Sequence, residues 1–252
     1  MTESALRVAL LYPELLGTYG DRGNARVLVQ RLLWRGRPAE LVEVNRGDVP
    51  PSSCDIYLLG GGEDSPQAMA AVELAVGGPL ERAVAEGAAV LAVCAGYQIL
   101  GHTFCGPEGV PLPGLGLIDC TTARGKGPRV VGEILVEPSI GTAVPPLSGY
   151  ENHAGLTRLG AEARPLGSVL AGVGNGDGTE GAVSGRVVGT YLHGPVLARN
   201  PALADLMLSW FVDHLEPLDD GDVARLRQER RQAVDAAAGR WSTGRTLRRA
   251  SG

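Results

Sequence analysis

The sequence predicts an α/β fold in which a mostly parallel sheet carries helices on its faces. Two patterns lead to this prediction. Short apolar runs, such as Leu6–Tyr12 and Ala88–Val93, have the continuous hydrophobicity of strands that are buried on both faces. Segments with apolar residues at helical spacing lie between these runs, and a helix is the usual connection between neighbouring parallel strands.

The predicted elements follow one another along the chain. The strands are predicted at Leu6–Tyr12, Glu40–Val44, Asp55–Leu59 and Ala88–Val93, and the helices between them at Ala25–Trp34 and Pro79–Glu86. From Gly114 onward the pattern changes to shorter strands and turns, including a hairpin with a Gly185-Arg186 turn. Two helices follow: one runs from Pro201, with Asn200 as its N-cap, to about His214, and a polar one covers Asp222 to Ala238.

Length and composition predict a single domain. The chain has 252 residues, 44% of them hydrophobic and 20% charged, which is ordinary for a globular protein. We expect one domain over residues 1–238 and a disordered tail over 239–252, since the end of the chain is basic and lacks apolar periodicity.

Charge and hydropathy argue against nucleic-acid binding and against a membrane-spanning segment. The formal net charge of −5 provides no basic field, so we expect no nucleic-acid partner. The sequence contains no apolar run of the roughly 18 to 20 residues that span a bilayer, and its start does not resemble a signal peptide. We therefore expect a cytoplasmic protein without a transmembrane segment.

The cysteines do not form a recognisable framework. The sequence contains four cysteines: Cys54, Cys94, Cys105 and Cys120. They have no CxxC spacing, and no pair of histidines lies near them at metal-ligand spacing. We therefore expect neither a disulfide scaffold nor a metal site.

Cys94 is the candidate nucleophile. It ends a predicted buried strand and is followed by Ala95 and Gly96, a pattern similar to a sharp turn that exposes a reactive side chain at a helix N-terminus. The triple glycine Gly60–Gly62 ends a second strand, so the same edge of the sheet is expected to carry both features. Backbone N–H groups around these glycines and at Ala95 could bind an oxyanion. A buried, inert thiol is the alternative interpretation of Cys94.

A nucleophilic cysteine needs a base, and the sequence contains four histidines. His193 is favoured because it ends a predicted strand and enters a loop. His153, in GYENHAG, has similar surroundings and remains a rival. His102 lies on the predicted helix after Cys94, about two turns away, and His214 suits a cation at a helix C-terminus.

Taken together, these motifs resemble those of the class I (triad-type) glutamine amidotransferases, which have a flavodoxin-like sheet. The resemblance rests on GGG at one strand end, VLAVCAGYQILG and TYLHG. GYENHAG places it in the cobyric-acid-synthase-like branch. Within that branch, GTYGDRGN, LLGGGED and TYLHGPVLARNP are most similar to the glutaminase subunits of lipid II isoglutaminyl synthases. The similarity extends from Leu6 to about Arg231.

The resemblance implies hydrolysis of L-glutamine to glutamate and ammonia. In this interpretation Cys94 forms a γ-glutamyl thioester and His193 transfers the protons. The oxyanion is bound by N–H groups around Gly61, Gly62 and Ala95. The resemblance assigns the α-carboxylate of glutamine to Arg129, whose guanidinium suits bidentate binding, and Arg124 is a nearby competitor.

A partner is also implied. The sequence has no GK[ST] phosphate loop, so we expect no cofactor in this subunit, and ATP and Mg²⁺ on another chain. By resemblance, that chain is a Mur-ligase-like synthetase in a heterodimer with this one. It would use the ammonia to amidate the D-glutamate α-carboxylate of lipid II to D-isoglutamine, in peptidoglycan synthesis.

One departure from the family pattern leaves the third catalytic residue open. Many class I amidotransferases have an acid two residues after the histidine, where this sequence has Pro195. The unit is therefore a Cys94–His193 dyad, or it recruits an acid from elsewhere, such as Glu151.

Three other functions remain as alternatives. The first is an amidotransferase component for cobyrinate-type acids, the second is a different Cys-His hydrolase, and the third is a non-catalytic binding subunit.

Overall fold

The computed structural model describes residues 4–232. The chain separates into two units, one ending at Glu216 and one beginning at Pro217. In the second unit the described part includes a helix over 221–232. The rest of the predicted polar helix, to Ala238, and the predicted tail over 239–252 lie outside the described residues. Within the described part of the chain, none of the helices is long and apolar enough to cross a membrane.

The first unit alternates helices and strands as far as residue 100 and is mainly strands after that. The strands are β1 (Leu6–Leu11), β2 (Ala39–Val44), β3 (Ile56–Leu59), β4 (Ala89–Val93), β5 (Thr103–Cys105), β6 (Pro111–Pro113), β7 (Cys120–Arg124), β8 (Val130–Pro138), β9 (Leu147–His153), β10 (Gly155–Leu159), β11 (Gly167–Ala171), β12 (Thr179–Glu180), β13 (Ala182–Ser184) and β14 (Val187–Thr190). The α-helices are α1 (Arg22–Trp34), α2 (Asp64–Ala75), α3 (Pro79–Ala85), α4 (Ala95–Leu100), α5 (Val196–Arg199) and α6 (Pro201–Leu208).

A six-stranded sheet forms the centre of this unit, in the order β13-β14-β4-β3-β1-β2. All of its neighbouring strands are parallel except β13 and β14, which form the predicted hairpin with the Gly185-Arg186 turn. Every residue of β3, β4 and β14 is buried, as expected for strands with both faces covered. The predicted α/β fold, with a mostly parallel sheet and flanking helices, is confirmed.

The shorter strands form two further sheets. Their orders are β10-β7-β5-β6 and β12-β11-β8-β9. Strand β9 connects the second of these sheets to the segment after β14, because Tyr150 and His193 exchange backbone hydrogen bonds of 3.1 and 2.9 Å. These added sheets therefore reach the edge where the central strands end.

The structure differs from the predicted elements in several places. Helix α1 begins at Arg22 rather than Ala25, and helix α2 was not predicted. Helix α6 ends at Leu208 rather than near His214. Asn200 precedes α6, but its side chain does not cap the helix; its Oδ1 accepts the Ser148 N–H at 2.9 Å. His102 lies beyond the end of α4, not on the helix.

A charged cluster fastens α1 to α6. The Asp205 carboxylate accepts hydrogen bonds from the Arg31 Nε and Nη2 atoms at 2.7 and 2.6 Å, and from Arg35 Nη2 at 2.8 Å. Both arginine side chains are almost fully buried. Burial alone would raise the pKa of Asp205, but the two guanidinium groups lower it. Because α1 begins next to Asp21, this cluster also holds the loop that precedes the helix.

Replacement of Asp205 by Asn should therefore destabilise the fold. The change leaves two buried guanidinium groups without their carboxylate, and we expect a loss of about 3 kcal/mol in the free energy of unfolding, measured by urea denaturation. Glu40→Gln, which breaks the exposed pair with Arg7, is the matched control and should cost less than about 1 kcal/mol. Equal losses in the two variants would contradict this role for the cluster.

Candidate active site

Four loops meet at one edge of the central sheet. Strands β14, β4, β3 and β1 are neighbours, and the parallel pairing puts their carboxyl ends on the same side. The segments that leave these ends contain His193, Cys94, the glycines Gly60–Gly62 and a loop that ends at Asp21. Ligands bind at such edges in open parallel sheets. The structure thus brings the sequence-predicted features together.

Cys94 has a strained backbone between β4 and α4. Its φ and ψ angles are 51° and −102°, a conformation that costs a non-glycine residue about 1–3 kcal/mol. Gly96 makes the sharp turn possible, because a Cβ at this position would lie 2.6 Å from the Leu59 Cβ. The Cys94 thiol donates to the Asn152 carbonyl at 3.9 Å. The predicted strand-to-helix turn is present, but Cys94 is buried rather than exposed, and it borders a pocket.

His193 lies next to this thiol and is buried. Its Nδ1 is 3.0 Å from Asp21 Oδ2, and its Nε2 forms no hydrogen bond with any described residue. Burial lowers the pKa of His193, but interactions with the Asp21 carboxylate and with Cys94 raise it to about 9. The imidazole therefore favours its protonated form when Cys94 is a thiolate.

Asp21 is the acid that sequence reasoning missed. Its side chain is fully buried, and besides His193 it accepts the Gly61 N–H at 2.8 Å. The first turn of α1, directly after Asp21, also packs on the segment after His193, since a Cβ at Gly23 would lie 2.3 Å from Pro195 Cγ. Pro195, at the position where the sequence analysis looked for an acid, thus packs beside the segment that contains Asp21. The only signal in the sequence was an aspartate in GTYGDRGN, directly before a helix.

Glu151, the acid considered from the sequence, has other partners. Its carboxylate accepts the N–H groups of Val173 and Gly174, each at 2.9 Å, and lies 3.3 Å from His153 Nε2. It is not in contact with His193 in this structure, because the hydrogen bond at His193 Nδ1 is made with Asp21. Glu151 therefore organises the loop after β11.

The glycines at the end of β3 make different contacts. The Gly61 N–H, expected to face the site, donates to Asp21 instead, so it is not free to bind an oxyanion. Its Cα faces the imidazole, and a Cβ there would lie 2.6 Å from His193 Cε1. Gly62 and Ala95 both line the pocket beside Cys94. They remain the candidate oxyanion donors.

Both candidate arginines border the pocket. Arg129 donates from Nε to the Asn152 side-chain oxygen and from Nη2 to the Asn152 carbonyl at 3.1 Å. The Asn152 amide in turn donates to the Tyr19 hydroxyl at 2.7 Å, and the Tyr19 ring lies 4.8 Å from the His193 ring. Arg124 has a longer contact, 3.9 Å to Asp64. Arg129 is therefore the arginine that is connected to His193, through Asn152 and Tyr19.

Two buried glutamines complete the pocket wall. Gln67 Nε2 donates to the Ala95 carbonyl at 3.2 Å and to Gln98 Oε1 at 2.9 Å. Because a carbonyl only accepts, the nitrogen of Gln67 must face Ala95, and its oxygen must face the other way. Gln67 Oε1 accepts no hydrogen bond from residues 4–232, and the residue, although buried, lines the pocket. A fixed acceptor thus borders the pocket, a feature for which the sequence offered no signal.

The other three histidines have partners of their own and do not lie where they could take the proton of Cys94. His153 also borders the pocket, but its ring nitrogens face the Gly155 carbonyl at 2.8 Å and Glu151, and the ring stacks on Tyr191 with centroids 3.9 Å apart. His102 pairs with Asp119, and His214 with Glu216, on the surface. Of the four histidines, His193 is the one whose side chain lies next to Cys94.

The remaining thiols differ from Cys94 in their surroundings. All four cysteines are free, and burial raises the pKa of Cys120 to about 12. Cys105 borders the same pocket as Cys94 and donates weakly to the Gly106 carbonyl at 3.6 Å. Within the described residues, no group of three His, Cys, Asp or Glu side chains is arranged to hold a metal ion.

Comparison with known proteins identifies related sequences and folds. The model of the CobB/CobQ-like glutamine amidotransferase domain matches residues 7–201. The subunit GatD of a lipid II isoglutaminyl synthase (glutamine-hydrolyzing) from Staphylococcus aureus is 39% identical over 198 residues, which cover 77% of this chain and 79% of that protein.

Two further similarities are more distant. A cobyric acid synthase from Pelotomaculum thermopropionicum is 31% identical over 225 residues, which cover 82% of this chain and 40% of that protein. A crystal structure of a glutamine amidotransferase aligns with a TM-score of 0.56 at 23% identity, over 81% of this chain and 97% of the other. The structural match supports the fold.

Loss of the Asp21 charge should change the reactivity of Cys94. Asp21→Asn lowers the pKa of His193, which weakens the positive charge beside the thiol. We expect the rate of Cys94 alkylation by iodoacetamide at pH 7 to fall about tenfold, and the midpoint of its pH profile to rise by about one unit. Glu151→Gln is the control and should leave the midpoint unchanged. An unshifted midpoint in Asp21→Asn would show that Asp21 does not act on the pair.

Proposed function

The chain belongs to the CobB/CobQ-like glutamine amidotransferase family, and we propose that it is the glutaminase subunit of a lipid II isoglutaminyl synthase. The proposal rests on one observation above all: Cys94 sits on a strained turn beside a buried imidazole that Asp21 orients. The identity to GatD over more than three quarters of both chains supports the choice of this subunit.

The first chemical step is attack on the side-chain carbonyl of L-glutamine. His193 holds the proton of Cys94, and the thiolate adds to the carbonyl carbon. The N–H groups of Gly62 and Ala95 would stabilise the tetrahedral oxyanion, a contribution that in such sites is worth about 100- to 1000-fold in rate per donor. Gly61 acts indirectly by holding the Asp21 carboxylate.

The second step releases ammonia. The His193 imidazolium donates its proton to the leaving nitrogen, and a γ-glutamyl thioester remains on Cys94. Water then attacks the thioester with the same imidazole as base, which gives glutamate and restores the thiol. Asp21 Oδ2 accepts the hydrogen bond of Nδ1 on the ring, so that Nε2 is the atom that exchanges protons.

Substrate binding uses charges at the pocket rim. Arg129 would exchange its contacts with Asn152 for a bidentate pair with the α-carboxylate of glutamine. Gln67 Oε1, fixed by the bonds of its amide nitrogen, would accept a hydrogen bond from the α-ammonium group. These contacts distinguish glutamine from amides that lack the α-amino acid group.

The ammonia requires a second subunit. We propose a heterodimer in the cytoplasm with a Mur-ligase-like synthetase that holds ATP and Mg²⁺ and amidates the D-glutamate α-carboxylate of lipid II. No cofactor is assigned to the chain itself. The subunit GatD is by name part of such a synthase, which supports this assembly.

A cobyrinate-type amidotransferase is the second candidate, because the chain is also 31% identical to a cobyric acid synthase. The matched region covers 40% of that protein, against 79% of GatD. Assays on lipid II and on a cobyrinate-type acid, each with ATP and the synthetase subunit, decide between the two. We expect amidation of lipid II only.

Cys94→Ala should abolish glutaminase activity while leaving the fold intact. The assay measures ammonia and glutamate released from glutamine. Cys105→Ala is the matched control, since this thiol borders the same pocket, and it should retain activity within about threefold of the unmodified protein. Release of ammonia at an unchanged rate by Cys94→Ala would disprove the proposed mechanism.

Arg129→Gln should weaken glutamine binding more than Arg124→Gln does. Loss of a charge-assisted bidentate contact costs about 1.5–3 kcal/mol, so we expect KM to rise at least tenfold for Arg129→Gln and kcat to change less. Steady-state kinetics with glutamine provides the comparison. The assignment is wrong if Arg124→Gln shows the larger rise in KM.

A further inference from the structure

A wide groove lies beside the catalytic pocket, between β7, β10 and the loop after β11. It has a volume of about 830 Å³. Its charged lining residues are Arg124, Lys126, Arg158 and Asp177, and its lining also includes the apolar side chains of Ala123 and Leu156. We call it the β7–β10 groove.

The groove is continuous with the mouth of the catalytic pocket. Arg124 lines both, and its partner across the β7–β10 ladder is Gly155, which lines the pocket. The next residue, Leu156, lines the groove. A protein segment that filled the groove would therefore cover the rim of the pocket that contains Cys94.

The groove presents positive charge on a chain whose formal net charge is −5. Lys126 and Arg158 are exposed, and neither belongs to an ion pair with any residue between 4 and 232. Arg124 has only the 3.9 Å contact with Asp64. The Asp177 carboxylate is occupied by the N–H and hydroxyl of Thr179, at 2.9 and 2.6 Å. The groove is therefore complementary to an acidic surface.

An apolar floor accompanies these charges. The Leu156 side chain is 38% exposed and packs against Gly176 and Gly125. A Cβ added at Gly176 would lie 2.8 Å from the Leu156 side chain, and one added at Gly125 would lie 3.2 Å from it, so the two glycines leave room for this leucine. An apolar centre with a charged rim is the usual composition of a protein interface.

We propose that the β7–β10 groove is the docking surface for an acidic segment of the synthetase subunit that consumes the ammonia. The inference rests on the proposed function. Ammonia that escapes into neutral water is protonated and loses its nucleophilic lone pair, so the consuming subunit must cover the mouth of the pocket. The charge and position of the groove identify where it does so.

Charge reversal in the groove tests the proposal. The probe is the purified Mur-ligase-like subunit encoded in the same genome, and the dissociation constant for the full-length chain is measured by calorimetry. Lys126→Glu and Arg158→Glu should each raise this constant at least tenfold. Arg26→Glu is the matched control: Arg26 is an exposed cation on α1, which packs on β1, β2 and α6, and its reversal should change the constant less than threefold.

The outcomes separate this proposal from the proposed function. All three variants should hydrolyse glutamine at the unmodified rate when the chain is alone, whereas failure of the proposed function appears as ammonia release that survives Cys94→Ala. Binding should also weaken as salt is raised, and less steeply in the two groove variants. The proposal is overturned if the groove variants bind normally, if Arg26→Glu weakens binding equally, or if the unmodified chain does not bind the subunit. Loss of self-association or of small-anion binding, with the synthetase still bound normally, would overturn it as well.

Discussion

The hydrogen bond between Asp21 and His193 is the contact on which the site depends. It joins residues that are 172 positions apart, and both side chains are buried. An imidazole buried alone would lose basicity, since burial disfavours its charged form. Interactions with the Asp21 carboxylate and with Cys94 reverse this effect and raise the pKa of His193 to about 9. The Gly61 N–H fixes the same carboxylate oxygen, so the end of β3 helps to orient a base that comes from the end of β14.

Strand order makes this contact possible. The strands that precede Cys94, Gly61 and His193 are adjacent in the sheet, and β1 leads into the loop with Asp21. The ladders on both sides of β4 also hold the strained backbone of Cys94. A strained residue persists where its surroundings are this rigid, and such residues cluster at functional sites. The stability of the packed strands thus maintains an unfavourable local geometry at Cys94.

The sequence predicted those parts of the site that have a local signal. Cys94 and the triple glycine follow buried strands, and a parallel sheet puts such ends together. Asp21 could not be predicted in this way, because its role depends on a contact with a residue near the other end of the chain. The expectation that the Gly61 N–H faces the site was wrong for the same reason, because this N–H donates its hydrogen bond to Asp21.

Helix α2 was not predicted because its apolar residues do not lie on one face: Val72 is exposed, whereas the polar Gln67 is buried. The predicted end of α6 was too late because apolar residues up to Leu215 still pack on the core after the helix has ended.

Mass spectrometry of the reaction intermediate shows whether Cys94 carries the covalent group. The protein is mixed with glutamine, quenched in acid within milliseconds and digested. We expect a γ-glutamyl group on the peptide that contains Cys94, removed by hydroxylamine as expected for a thioester, and more abundant when hydrolysis is slowed at low pH. Glutamine turnover without any modification of this peptide, or with the group on another cysteine, would rule out Cys94 as the nucleophile.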